Sequence, residues 1–492
     1  MLLEAIREDF VGLSTEYPTP QGRLVPRHYL DSAASTLMMG VAQEVGQKFL
    51  QHYANTHSAT HFAAEISTEA MRWAFDRILD FVGADKDEYT CVVHGSGVTG
   101  CANYLARTLQ ALRPERPRAL VSLMEHHSND LPYRRHSNLV EHISLTDEAD
   151  GLGSLCLDNL AKKLEEHAGK VNFVSLTGVS NVTGIINPIH EAAELAHKAG
   201  AYVIVDGAQM VAHMPVRLKC HEKPERDIDC FMFSGHKIYA PGSPGVLVIK
   251  KALLRGSEPA ELGGGIVEDV YRDTYRLTEQ FPDRMHAGTP NIVGCIVLAS
   301  VLEVLDQIGM DNIFRHERSL TEYALKRLRE IPLVKIYGHP ETGRFPRISA
   351  ISFNLKGFDH GFVAAVLNDY HNVSVRSGCF CAHPYARELL TPELWELDMS
   401  GESNPNAEFK VNLKRGMVRA SFGLYTTHAD IDALAEGLSD IAANSREYLS
   451  CYKPQGNGTY RLQMPNSRQN LAFEAHRTIQ AALASRIDPA KA

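Results

Sequence analysis

The stretch Asp229–Gly245, "DCFMFSGHKIYAPGSPG", sets an apolar run, Phe231–Phe233, against an abrupt Ser-Gly-His-Lys turn. A lysine at the end of a buried strand is either a solvated strand end, the commoner fate of lysine, or an amine held in a dry cleft. The wider pattern decides between them. Between about residues 90 and 250, short apolar runs alternate with helix-like stretches. The strand candidates are Thr90–Val93, Ala119–Leu123, Asn172–Leu176, Tyr202–Val205, Cys230–Phe233 and Gly245–Ile249. "IHEAAELAHKA" (Ile189–Ala199), closed by Gly200, represents the helices between them. Such alternation predicts an α/β fold with an open, mostly parallel central sheet covered by helices. Ligands of such sheets sit beyond the carboxyl ends of the strands. Gly95–Thr99, Glu125–Asp130, Asn181, Asp206–Gln209 and Ser234–Lys237 each follow a strand, so five loops converge on one sheet edge.

After about residue 310 the texture changes. "DNIFRHERSLTEYALKRLREI" predicts a helix begun by Asp311, and "RISAISFNL" (Arg347–Leu355) and "HNVSVRSG" (His371–Gly378) predict strands. "THADIDALAEGLSDI" predicts a helix capped near Thr427, with Ile431, Leu434, Leu438 and Ile441 on one face. The expected organisation is an N-terminal arm (1–28), a large domain (29–310), a smaller C-terminal α+β domain (311–449) and an extension (450–492) that is polar and then helical near Leu471–Ala484.

The composition excludes several classes. The 492 residues are 44% hydrophobic and 22% charged, as in ordinary globular proteins. A formal charge of −9 argues against a nucleic-acid-binding surface, and "RPERPRA" (Arg113–Ala119) reads as a solvated loop. No apolar run approaches a membrane span. "MLLEAIREDFVGLS", with Glu4, Glu8 and Asp9, reads as a short amphipathic helix, not a secretory signal. Nine cysteines without a C-x-x-C pair or metal-ligand spacing predict reduced thiols in a cytoplasmic protein, with no metal site.

In "VIVDGAQ" (Val203–Gln209), Asp206 ends a hydrophobic strand, where a carboxylate is costly unless paired with a cation or hydrogen-bonded. It is either a turn cap before Gly207 or the partner of a pyridinium nitrogen. Lys237, one strand onward, favours the second. A carboxylate for the ring nitrogen and a lysine for the aldehyde are the two marks of a pyridoxal 5'-phosphate site, with the lysine desolvated enough to act as a neutral amine. The glycine turn in "HGSGVTGCAN" (His94–Asn103) leads into the helical stretch "CANYLARTL" and supplies amide donors for a phosphate, with Ser234 and His236 as further donors.

"FSGHKIYAPGSPGVLVIK", "VDGAQ", "MEHHSN", "SNVTGIINPI", "YLDSAAS" and "AGTPNI" together resemble the fold-type I, class V aminotransferase superfamily, and within it the cysteine desulfurases and selenocysteine lyases. The likeness runs from about Tyr29 to Ile441. It makes Lys237 the residue holding the cofactor aldehyde as a Schiff base and Asp206 the partner of the ring nitrogen. Gln209 would donate to the ring hydroxyl. His126 would stack over the ring and transfer protons, with His127 as its competitor. Thr99, Ser234 and His236 would hold the phosphate, with Thr289 reaching in from the second subunit of a homodimer. Asn181 and Arg419 would hold the substrate carboxylate, with Arg376 and Ala33 also at the substrate.

"VRSGCFCAHP" (Val375–Pro384) resembles the R-x-G-x-x-C segment of the second group of cysteine desulfurases and makes Cys381 the nucleophile, with Arg376 or a nearby histidine favouring its thiolate. A lone cysteine is ordinarily a small buried hydrophobe, but glycine, two cysteines and proline within seven residues read as a loop. Cys379 is a second thiol that could receive a persulfide. The chain also departs from the family. Val98 replaces a threonine, leaving only its amide for the phosphate. Gly100 replaces a glutamate, and His286 replaces the glutamate before "AGTPN". The long 382–418 insertion and the "CFC" segment resemble molybdenum-cofactor sulfurases. The resemblance implies a cysteine desulfurase with a protein sulfur acceptor. The competing readings are a C–S or selenocysteine lyase acting by elimination, a transaminase or epimerase, and a silent scaffold of the same fold.

Overall fold

In the computed structural model, which describes residues 2–58, 60–136, 139–255, 257–398, 416–455, 458–463 and 473–487, all six strand candidates of the first half enter one seven-stranded sheet. Its order is Tyr89–His94, Gly245–Lys250, Cys230–Ser234, Tyr202–Asp206, Val171–Thr177, Arg118–Ser122 and Leu139–Ile143. Every neighbouring pair is parallel except those made by Gly245–Lys250, which runs antiparallel to both of its neighbours. All seven residues of Val171–Thr177 are buried, as a central strand covered on both faces requires. The seventh strand, Leu139–Ile143, carries Glu141 and His142 on the open edge. Those charges hide it from an apolar-run reading. Arg118, Lys163 and His167 pair with Glu141 there.

Helix Ile292–Ile308 is buried over most of its surface and packs against helix Phe62–Phe81. Its few charged and amide residues, Glu303, Asp306 and Gln307, cluster near its end on the solvent side, where Arg77 pairs with the two carboxylates.

The second half builds an antiparallel four-stranded sheet, ordered Val334–Ile336, Ala350–Leu355, Met417–Ser421 and Arg376–Gly378. Its own core includes Leu325, Phe353, Val366 and Leu434. Ile431, Leu434, Leu438 and Ile441 are all fully buried on helix His428–Ala443. Thr427 and Asp430 close a reciprocal capping box at its start.

Three boundaries differ from expectation. Helix Met310–Arg329 starts after Gly309, with Asp311 in its first turn. The strand expected from Arg347 begins at Ala350, because Ser349 sits at φ +58°. The run His371–Gly378 is not one strand. Asn372 closes helix His360–His371 in the left-handed conformation, Val373–Ser374 pairs with His28–Tyr29, and Arg376–Gly378 joins the four-stranded sheet. The N-terminal arm has claimed half of the run.

Within the 382–418 insertion, helix His383–Asp398 is followed by residues 399–415, which lie outside the described residues, and Met417 and Val418 already belong to strand Met417–Ser421. In the extension, Tyr452–Pro454 pairs with Tyr460–Leu462, and both tyrosines set their rings edge-on to Phe362. A helix spans Ala475–Ile487, whereas residues 471 and 472 of the expected one lie outside the described residues. Among the described residues no single helix is long and apolar enough to cross a membrane.

Candidate active site

A cleft of about 510 Å3 opens where the strands end, lined by residues of all five expected loops. Its floor comes from the helix start after Tyr89–His94. Gly97 sits at φ +65° before helix Val98–Leu112. A Cβ at Gly97 would lie 2.6 Å from Ser234 Oγ, and one at Gly245 would lie 2.3 Å from Gly97 Cα. The helix start and two strands therefore meet so closely that only glycine fits. Ser234 Oγ accepts from the Val98 N–H at 3.0 Å, so the amide expected to face a phosphate is already committed. Thr99 and Ser128 share a 2.7 Å hydroxyl contact beside it. With Ser96 and His236 on the rim, a helix N-terminus surrounded by hydroxyls forms an anion cradle.

Two departures from the family have steric or chemical accounts. A Cβ at Gly100 would come within 2.8 Å of Ser96 Oγ and 2.9 Å of His94 Cβ, which leaves no room for a glutamate. His286 is buried and stacked on Phe75, and its Nε2 accepts the Val93 N–H at 3.0 Å. Burial, with His94 and His57 nearby, pushes it down to about 4, so it acts as a neutral acceptor.

Asp206 closes its strand with Oδ1 accepting the Ala208 N–H at 2.9 Å. Burial raises its carboxyl above the usual range and Lys237 pulls it back. The following glycine is obligatory, because a Cβ at Gly207 would be 2.0 Å from the Phe231 ring. Lys237 ends the short Gly235–Lys237 turn. Burial lowers its ammonium pKa against the opposing pull of Asp206, the direction that favours a nucleophilic amine. Gln209 is buried, with Nε2 donating to the Ala33 carbonyl at 2.7 Å, and so ties the loop after Asp206 to the segment around Ala33 that lines the cleft. Thr289 is exposed, outside the cleft lining of this chain, and accepts from Asn55 Nδ2 at 2.9 Å.

Of the paired histidines, His126 lines the cleft and His127 does not. His126 Nδ1 accepts the Ser128 N–H at 3.1 Å, which places any ring proton of the neutral form on Nε2. Burial, then Lys237, His127 and Arg419, push it down to about 3. His127 turns away to stack on His383, with ring centres 4.8 Å apart.

The opposite wall carries Arg419, Arg376, Phe380 and Cys381. Arg419 is buried, donating to the Asn181 carbonyl at 2.9 Å and to Asp31 Oδ1 at 3.2 Å, and it lies over the Phe380 ring. The Asn181 side chain donates to the Phe380 carbonyl at 2.8 Å, so it braces the cysteine loop. Cys381 is exposed, while Cys379 is half-buried, with burial pushing its thiol up. Phe380 and Cys381 both sit at φ +53°. Two successive side-chain-bearing residues in the left-handed region cost about 1–2 kcal/mol each. Asp31, Ser35, Ser128 and Phe380 also line the cleft and escaped the sequence reading. Their only signal was position, within "DSAAS", "HHSN" and "CFC".

The model of the class-V aminotransferase family matches residues 28–434. The chain belongs to that family. Its members are pyridoxal-phosphate enzymes. The chain is 33% identical to a probable cysteine desulfurase of Halalkalibacterium halodurans, over 86% of this chain and 94% of the relative. It is 32% identical to a cysteine desulfurase of Escherichia coli, over 89% and 98%. Among solved structures it is similar to the apo cysteine desulfurase of Thermococcus onnurineus (TM-score 0.75, 28% identity, 90% of this chain and 98% of the other). It is also similar to the cysteine desulfurase CsdA of Escherichia coli (TM-score 0.72, 28% identity, 90% and 98%). The residues present fit the family's cofactor. The start of helix Val98–Leu112 with the hydroxyls of Ser96, Thr99, Ser128 and Ser234 around it suits a phosphate, and a buried carboxylate, Asp206, and a buried lysine, Lys237, line the same cleft.

Proposed function

We propose that the protein is a pyridoxal-phosphate-dependent cysteine desulfurase that takes the sulfur of L-cysteine as a persulfide on Cys381 and releases L-alanine. The observation that carries this reading is that Lys237, Asp206, Arg419 and an exposed Cys381 line one cleft. When bound, the cofactor draws electron density from the substrate's α-carbon. Lys237 anchors it, Asp206 holds a positive charge on its ring nitrogen, and Thr99, Ser234 and His236 frame its phosphate. Thr289 completes the phosphate site from the second subunit of a homodimer, and Gln209 supports the ring side.

Arg419, kept in place by Asp31 and the Asn181 carbonyl, binds the substrate carboxylate, with Arg376 at the mouth of the cleft and Ala33 beneath it. Lys237 Nζ takes the α-proton, and His126 offers its Nε2 proton above the reacting atoms. The Cys381 thiolate then attacks the substrate sulfur. One S–S bond forms and the Cβ–S bond breaks. Its electron pair stays with the substrate carbon, which is protonated to give alanine. The reading implies a protein thiol as the next sulfur acceptor and a reducing, cytoplasmic setting, in keeping with nine unbridged cysteines. The proposed division into an arm (1–28), large domain (29–310), small domain (311–449) and extension (450–492) puts the nucleophile on the small domain.

Incubation with L-cysteine followed by peptide mass spectrometry tests the reading. One added sulfur on the Cys381 peptide, with alanine in solution, is expected. Pyruvate and ammonia with no sulfur on Cys381 would instead establish a lyase acting by elimination.

A further inference from the structure

The cysteine loop is held at and just after its nucleophile by one residue outside it. The His127 N–H donates to the Cys381 carbonyl at 2.7 Å. His127 Nε2 accepts the His383 N–H at 3.3 Å and lies 3.0 Å from His383 Nδ1. The two rings are stacked nearly parallel, 10° from one another. A ring nitrogen that receives the His383 backbone N–H must carry a lone pair, so neutral His127 holds its proton on Nδ1. These contacts pin the chain at the Cys381 carbonyl and at His383, and Asn181 holds the Phe380 carbonyl before them, while the strained turn at Phe380 and Cys381 has every reason to relax. His127 has no place in the cleft lining, so its ring is free of the chemistry assigned above.

We propose that His127 is a positioning residue whose unprotonated Nε2, paired with His383, latches the Cys381 loop in the geometry that sulfur transfer requires. The inference rests on the desulfurase reading for its functional meaning, not for its geometry. The surroundings keep the latch closed. Burial and His383 disfavour a charged His127, Asp130 favours it, and Arg134 disfavours it; the His126 ring lies 6.3 Å away, centre to centre. Protonation of Nε2 would remove the lone pair and release the His383 end. Misplacing a nucleophile by about 1 Å costs on the order of 100-fold in rate, so a latch remote from the reacting atoms is worth having.

The test compares His127→Phe, which keeps a ring without an acceptor, with His127→Gln, whose amide oxygen reaches about where Nε2 lies. His383→Phe is the arm on the exposed side. In holoenzyme with unchanged cofactor absorbance, His127→Phe should lower kcat for alanine release roughly 10–100-fold with KM little changed. His127→Gln should recover to within about threefold of wild type, and His383→Phe should fall between them. Hydrogen exchange read without substrate should show the amides of 380–383 exchanging about tenfold faster in His127→Phe than in His127→Gln. An unchanged kcat in His127→Phe overturns the proposal, as does a His127→Gln variant equally impaired, or exchange that is the same in both. A wild type that releases no alanine overturns the desulfurase reading alone, and the exchange contrast still decides the latch.

Discussion

Lys237 and Cys381 line the same cleft, yet the chain holds them by different means. Lys237 follows a strand paired on both sides, Tyr202–Asp206 in parallel and Gly245–Lys250 antiparallel. Its turn is fixed by close glycine contacts and the sheet register. Cys381 sits on a left-handed turn tied by the Asn181 side chain and by His127, each from another segment. A residue placed by a sheet inherits its position from main-chain hydrogen bonds. A residue placed by a loop depends on individual side chains, and can move for the same reason. A desulfurase needs both, a fixed amine and a thiol that can later present its sulfur to another molecule.

The sharpest way to break this comparison is to remove each group in turn. Lys237→Ala should abolish alanine formation by about a thousandfold or more and lose the borohydride-fixed pyridoxyl label from its peptide. A label on another lysine would overturn the assignment. Cys381→Ser should also release almost no alanine but keep the cofactor absorbance of wild type, and Cys379→Ser should keep alanine formation. A dead Cys379→Ser with an active Cys381→Ser would move the nucleophile.

Arg419→Ala comes next. Losing a buried charge-assisted contact costs about 2–4 kcal/mol, so kcat/KM should drop roughly 30-fold to 1000-fold, read by steady-state kinetics with cofactor absorbance unchanged. An unaltered kcat/KM would assign the carboxylate to another group.

Two glycines sharpen the contrast in stability. Gly207→Ala drives a methyl into the Phe231 ring and should cost about 1–3 kcal/mol. Gly378→Ala, before the cysteine loop, meets nothing within 4 Å and carries only the conformational cost of φ +117°, about 1 kcal/mol. Thermal melts should rank them in that order.

The smallest effect lies at the far end of the lysine strand. His197 Nε2 is 2.8 Å from Asp229 Oδ2. Burial acts to lower the His197 pKa, but the hydrogen bond and charge of Asp229 outweigh it and raise the value. Burial acts to raise Asp229, and His197 with Lys250 outweighs it. The histidine's contribution is therefore full below its ordinary value near 6.5 and fades as pH rises through its raised folded value. The aspartate's is present above its ordinary range and fades in acid. His197→Leu should lose about 1 kcal/mol or less, most clearly below about pH 6.5 and progressively less as pH rises, by melts across a pH series.

The sheet and its loops were legible because a parallel strand buried on both faces must be written as an apolar run, and the chain has to turn where that run stops. Asp206 and Lys237 stood out as charges where such runs end. Leu139–Ile143 was illegible because an open edge tolerates Glu141 and His142. The split at Asn372 was illegible because "HNVSVRSG" has strand composition throughout, and what divides it is the arm at His28–Tyr29, far away in sequence. Asp31, Ser128 and His127 were visible as letters but not as roles, since each acts through a partner brought from another segment: Arg419, Thr99 and the Cys381 loop.

That arm has a consequence for synthesis. His28–Tyr29 pairs with Val373–Ser374, and Asp31 bridges to Ser421. The segment that delivers Asp31, Ala33 and Ser35 to the cleft thus emerges first from the ribosome and finds its partners about 340 residues later. At roughly 5–20 residues per second the wait is about 20–70 seconds. During that interval the seven-stranded sheet can already close, since its last strand ends at Lys250. The nascent chain can therefore present a finished floor of the cleft while its walls are still missing. The thiol of Cys381 is positioned only after the segments around Val373–Ser374 and Met417–Ser421 have emerged.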